Sequence, residues 1–175
     1  MNLTLVRHTS VAVAPDICYG QSDVDVSACF EAEAQQVLEN LQAKSFDAVY
    51  CSPLSRCRKL ASYCGYTNPV TDKRLMELNF GNWELKAWKE IQDPHLQLWF
   101  DNWYNESPTK GESFRAMTER VESFLNEIKD LSYQQVIIFT HAGVIRSTGI
   151  ITDRFSPTEA FEYKVGYGEC HEFSI

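Results

Sequence analysis

The 175 residues suit a single domain, and a composition of 44% hydrophobic and 23% charged residues is that of a globular chain able to bury a core without covalent staples. A formal net charge of −8 repels polyanions, which excludes nucleic acid and anionic membrane surfaces as expected partners while leaving room for a local cluster of cations. The six cysteines form no C-x-x-C pair and no zinc-like spacing, the apolar run before Arg7 is too short for a signal-peptide core, and no stretch is long enough to span a bilayer. The expected setting is therefore the reducing cytoplasm.

Taken in chain order, Asn2 to Val6 reads as a short buried strand. Ser27 offers an N-cap to a helix whose apolar face carries Phe30, Ala34, Val37, Leu38 and Leu41. Asp47 to Cys51 is a second strand, and Ser52-Pro53 signals the start of a helix through Leu54, Leu60 and Ala61. Residues 79–110 hold all four tryptophans and read as an irregular, partly helical, aromatic-rich lid inserted into one domain spanning 1–175. Gly111-Glu112-Ser113 opens a long helix with Phe114, Met117, Val121, Phe124, Leu125 and Ile128 at helical spacing. Val136 to Thr140 is a third core strand, and the tail reads as two strands, 161–165 and 169–175, around Gly166-Tyr167-Gly168. Strands alternating with helices predict an α/β fold: a three-layer α/β/α sandwich around a mostly parallel sheet.

Each of the three strands ends in reactive groups: Arg7-His8 after the first, Ser52-Pro53 with Arg56 after the second, His141 after the third. Open α/β sheets collect ligands at the carboxyl ends of their strands, so one pocket is expected to hold Arg7, His8, Arg56 and His141. Guanidiniums chelate phosphate, helix N-termini add donors, and a neutral imidazole attacks phosphorus without a metal or cofactor. This set points to phosphoryl chemistry on a small phosphorylated metabolite.

Leu5-Val6-Arg7-His8-Thr9, Ser52-Pro53-Leu54-Ser55-Arg56, Glu77-Leu78-Asn79-Phe80-Gly81-Asn82-Trp83-Glu84, Gly111-Glu112-Ser113 and Thr140-His141-Ala142-Gly143 resemble, in order, the motifs of the histidine phosphatase (phosphoglycerate mutase-like) superfamily. The resemblance implies His8 as phosphate-accepting nucleophile, with Arg7, Arg56 and His141 holding the phosphoryl group. It implies Glu77 as the acid that protonates the leaving oxygen and then as the base that activates water. Cys18-Tyr19-Gly20-Gln21-Ser22-Asp23 is similar to a segment of the α-ribazole phosphatase subgroup, which hydrolyses α-ribazole 5′-phosphate during cobalamin nucleotide-loop assembly. The chain departs from that subgroup at 12–16 and 25–26. Tyr19, Gly20, Gln21, Ser22 and Ala142 join the expected phosphate-binding set, Gly20 and Ser22 as donors. One of Trp83, Trp88 and Trp99 is expected to stack on a flat substrate. Fold analogy implies a homodimer.

Three rival chemistries are weaker. A cysteine phosphatase needs five residues between cysteine and arginine, and Cys51 to Arg56 leaves four. A zinc hydrolase would hold metal on His8, His141 and Glu77, but no H-E-x-x-H or carboxylate cluster accompanies them. A non-catalytic binding module would be expected to lack His8, Arg56 or Glu77, and all three are present. A broad-specificity phosphatase and a mutase-type phosphotransferase use the same residues and stay open.

Overall fold

A computed structural model describes all 175 residues. Strands and helices follow in the order β1 (Asn2–Arg7), β2 (Ile17–Cys18), α1 (Phe30–Leu41), β3 (Ala48–Cys51), α2 (Ser55–Tyr63), β4 (Val70–Thr71), β5 (Lys86–Ala87), α3 (His95–Asp101), α4 (Phe114–Lys129), β6 (Gln135–Thr140), α5 (Ala142–Ile151) and β7 (Cys170–Ser174). The main sheet has the order β4-β3-β6-β1-β7, parallel except for the antiparallel edge strand β7. β2 and β5 form a separate two-stranded ribbon.

The core strands are apolar on both faces, as a buried parallel sheet requires. Leu3, Leu5, Tyr50, Val136 and Ile138 pack in one cluster with Met117, Val121 and Phe124 of α4 and Val144 and Ile145 of α5. Val6, Cys51, Ile137 and Phe139 join Ala34, Val37 and Leu41 of α1 and Cys57, Leu60 and Ala61 of α2 in a second cluster. The α/β/α sandwich follows from that division.

Local starts and stops differ from expectation in three places. Cys29, not Ser27, occupies the N-cap of α1, and the Ser27 hydroxyl accepts from the Cys29 N–H one turn earlier. α2 begins at Ser55 with Leu54 at its N-cap, and Ser52 Oγ, which accepts from the Leu54 N–H at 3.4 Å, lies closer to His141 at 2.8 Å. The tail contributes one strand, not two. The carbonyls of Tyr163 and Val165 accept from Arg146 and Arg7, so 161–165 makes side-chain contacts where a strand would need a neighbour.

Residues 79–110 contain two 3-10 turns (Gly81–Trp83 and Trp88–Glu90), β5 and α3. Their aromatic rings pack mainly on one another: Trp83 meets Trp99 edge-on at 5.7 Å, and Trp88 stacks on Trp99 at 5.9 Å.

Phe139 is fully buried in the α1/α2 face at the centre of the sheet. Phe139→Ala is expected to cost about 3–5 kcal/mol, read as a shift in the urea unfolding midpoint.

Candidate active site

The register of the three central strands brings their carboxyl ends level. Arg7 pairs with Thr140 across β1–β6, and Cys51 pairs with Phe139 across β3–β6. His8 and His141 therefore emerge side by side, and Ser52, one residue back on the β3 side, follows the same strand ends. The His8 and His141 rings meet edge-on at 5.1 Å, and His141 Nε2 lies 2.8 Å from Ser52 Oγ.

His8 is 1% exposed. Its Nδ1 lies 2.7 Å from the Thr9 carbonyl, which only accepts, so Nδ1 carries the proton and Nε2 carries the lone pair. That lone pair accepts from Arg56 Nε at 3.3 Å. Burial, and then the neighbouring Arg56 and Arg7 charges, hold the His8 pKa well below the usual imidazole value; His141 is lowered in the same way by burial and Arg56. Both rings are neutral at physiological pH, which is the protonation state of a nucleophilic imidazole.

Arg56, the second residue of α2, is completely buried, yet it has no carboxylate partner. Its remaining N–H groups donate to the carbonyls of Gly20 (2.7 Å) and Ser22 (2.9 Å). Arg7 donates to the Val165 carbonyl and lies 3.8 Å beneath the Tyr167 ring, with Nε unpartnered. Two guanidiniums thus converge beside His8, neither in an ion pair with a carboxylate.

The structure brings Glu77 to the same mouth. Its carboxylate accepts from the N–H of Leu78 (2.9 Å) and of Gly143 (3.3 Å), the latter in the first turn of the helix that follows His141. The Glu77 carbonyl is pinned by Gln21 Nε2 and Arg120 Nη2, both at 3.0 Å, and Arg120 in turn pairs with Glu112 at 2.7 Å. Glu112 therefore positions the Glu77 segment.

Gly20 and Ser22 face the site differently from expectation. Their carbonyls, not their donors, point at the site and hold Arg56, while the N–H groups of Gln21 and Ser22 and the Ser22 hydroxyl donate to Glu84. Tyr19 is placed at the mouth, where its hydroxyl meets that of Tyr167 at 3.2 Å and Tyr167 lies 5.7 Å from His8. Ala142 and Gly143 line the adjoining cavity.

That cavity, about 310 Å³, has a polar lining of Arg7, Glu77 and Arg146 and an apolar lining that includes Phe80, Trp88, Trp99, Phe114 and Phe161. Trp83 is excluded from it: it is fully buried, with its indole N–H on Asp93. Arg146 and Tyr167 escaped the sequence reading. Arg146 lies on α5, five residues after His141, a spacing that carries no same-face signal in the sequence. A larger hollow of about 790 Å³ opens at the amino ends of β1 and β6, near Asn2 and Gln135, and holds none of these groups. No three His, Cys, Asp or Glu side chains converge as a metal site.

The sequence matches the histidine phosphatase superfamily (branch 1) over residues 3–174. The chain belongs to that superfamily. It is a phosphatase. It is 32% identical over 154 residues to the adenosylcobalamin/alpha-ribazole phosphatase of Salmonella typhimurium, covering 83% of this chain and 76% of that one. It is also 32% identical to the putative phosphoserine phosphatase 2 of Hydrogenobacter thermophilus, over 83% and 75% of the two chains. The crystal structure of the alpha-ribazole phosphatase from Shigella flexneri superposes with a TM-score of 0.91 at 26% identity, covering 100% of this chain and 91% of that one.

The buried imidazoles couple stability to pH. Below about 6.5 the unfolded chain protonates both histidines, while the native state resists until well below that value. The unfolded state then binds more protons, so stability falls as pH falls. Between pH 6.5 and about 5.5 the pair is expected to remove about 2 kcal/mol, and His8→Asn to remove about half of that dependence, measured by urea unfolding across pH. An equal slope in the variant would contradict the assignment.

Proposed function

We propose that this phosphatase hydrolyses phosphomonoesters through a phosphohistidine on His8, and that its substrate is α-ribazole 5′-phosphate. The observation that carries the chemistry is the His8 Nε2 lone pair facing a buried guanidinium with no counter-ion. A substrate phosphate dianion supplies the missing charge, bridging Arg7, Arg56 and His141. His8 Nε2 attacks phosphorus, the P–N bond forms and the ester P–O bond breaks. Glu77 delivers its proton to the leaving oxygen. The ionised Glu77 then takes a proton from water as the water oxygen attacks phosphorus, the P–N bond breaks, and inorganic phosphate and neutral His8 are regenerated. Developing charge on the transferring group is met by the guanidiniums and the His141 ring, with Arg56 and His141 completely buried beside His8.

The leaving group occupies the aromatic cavity beside Glu77. Its flat indole and phenyl walls suit a planar base such as the benzimidazole of α-ribazole, and the relatives named for that substrate support the reading. Four of the six thiols are buried and all six are unpaired, which supports a cytoplasmic location. No helix is long and apolar enough to cross a membrane.

Rates on α-ribazole 5′-phosphate, phosphoserine and p-nitrophenyl phosphate test the substrate. A kcat/KM for α-ribazole phosphate at least tenfold above the others is expected, and parity would reduce the enzyme to a general phosphatase. His8→Ala is expected to lower kcat roughly 10⁴-fold or more and to abolish acid-labile phosphoenzyme. Trp88→Ala is expected to raise KM for α-ribazole phosphate roughly 5–10-fold with little change for phosphoserine.

A further inference from the structure

Glu84 ends the 3-10 turn Gly81–Trp83, and its carboxylate faces no lysine or arginine. One oxygen accepts from the N–H of Gln21 (2.9 Å) and of Phe80 (3.0 Å). The other accepts from the N–H (2.6 Å) and the hydroxyl of Ser22. Four donors on two oxygens saturate the group. Three of the four come from residues 21 and 22, in the loop whose other side holds Arg56 through the Gly20 and Ser22 carbonyls.

The loop is thus clamped between an anion and a cation, its N–H groups toward Glu84 and its C=O groups toward Arg56. Gly20 has φ +36°, and a side chain there would collide with the Leu78 carbonyl and the Glu84 carboxylate, so the close approach needs glycine. The chain of contacts runs from Glu84 through the 20–22 loop to Arg56 and ends on His8 Nε2 at 3.3 Å.

We propose that Glu84 is a positioning residue for phosphoryl transfer: it sets the loop carbonyls that aim the Arg56 guanidinium at the phosphoryl group on His8. The inference rests on the reading of Arg56 as a phosphoryl-binding group. Glu84 is not needed merely to join the two segments. β2 and β5 already pair there, and Leu85 N–H donates to the Cys18 carbonyl at 2.6 Å. A glutamine in its place keeps the shape but turns an NH₂ toward backbone donors, which repels part of the loop and frees the Arg56 carbonyls to drift. A shift of about 1 Å in an aligned group is enough to cost roughly 100-fold in rate.

The test is a double-mutant cycle in the full-length chain with p-nitrophenyl phosphate, and inorganic phosphate as competitive inhibitor. Glu84→Gln is expected to lower kcat/KM roughly 10–100-fold and to weaken phosphate inhibition. In an Arg56→Lys background, where the fork that the loop carbonyls hold is gone, the same change is expected to cost no more than about twofold. A role confined to folding would give the full penalty in both backgrounds, and that result overturns the proposal, as does wild-type activity in Glu84→Gln. Ser22→Ala, which removes one donor and leaves the fold's pairing intact, runs in parallel. A few-fold loss that vanishes beside Arg56→Lys supports the clamp, and a loss that persists opposes it. If Arg56→Lys alone keeps full activity, the phosphoryl-binding role of Arg56 fails, a different result from additivity.

Discussion

Arg56 imposes the hardest constraint on this structure. A guanidinium does not deprotonate, so its complete burial leaves a full charge away from water, at a cost of several kcal/mol. Histidine in the same surroundings escapes by becoming neutral, as His8 and His141 do. The cation is tolerated because two carbonyls and one imidazole lone pair give each of its three nitrogens an acceptor without cancelling its charge. Neutral acceptors leave a positive potential at the site, which a carboxylate partner would have quenched. A protein with a net charge of −8 can thus offer phosphate an attractive site, shielded from its own acidic surface by a low-dielectric shell.

Sheet register turns that charge into chemistry. The parallel order β3-β6-β1 points three carboxyl ends the same way; the pairing of Arg7 with Thr140 sets His8 level with His141, and that of Cys51 with Phe139 sets Ser52 one residue behind them. A slip of one residue in either pair would turn a histidine into the opposite helical layer. Register is held by apolar side chains on both faces of every central strand, so the core that stabilises the fold also aligns the reacting groups. The Thr9 carbonyl completes the alignment by choosing the tautomer in which the lone pair faces Arg56.

Much of this was legible in the chain itself. Strands announced by continuous apolar runs, each ending in Arg7-His8, Ser52 or His141, were enough to place one pocket at one end of a parallel sheet. What escaped has a common physical cause. A glycine- and serine-containing loop beside an anion site usually offers its N–H groups, which makes Gly20 and Ser22 look like donors to phosphate. Which side of a peptide faces the ligand depends on φ and ψ at Gly20 and on the carboxylate behind it, 62 to 64 residues along the chain, and neither leaves a periodic mark. Residues 161–165 look strand-forming in isolation, but the edge beside β1 belongs to β7, and their carbonyls are taken by Arg7 and Arg146. Composition gathered the tryptophans correctly but did not separate Trp83, whose indole is committed to Asp93, from Trp88 and Trp99, which line the cavity.

The site divides into two compartments with different tasks. The strand ends hold polar groups oriented by backbone contacts: His8 by the Thr9 carbonyl, Arg56 by those of Gly20 and Ser22, Arg7 by that of Val165. The cavity beyond Glu77 meets the strand ends at Arg7 and takes most of its apolar wall from residues 15–20, the 79–110 segment, Phe114 and Phe161. Glu77 stands at the border, its carboxylate on the helix after His141 and its main chain held by Gln21 and Arg120. In the proposed mechanism that is where the leaving oxygen sits, within reach of Glu77 for any alcohol the cavity admits. Selectivity can then change by exchanging aromatic walls while the phosphoryl machinery stays as it is. Arg56 cannot be exchanged in that way, because the loop above it, the histidine beside it and the carboxylate behind the loop are all arranged around its charge.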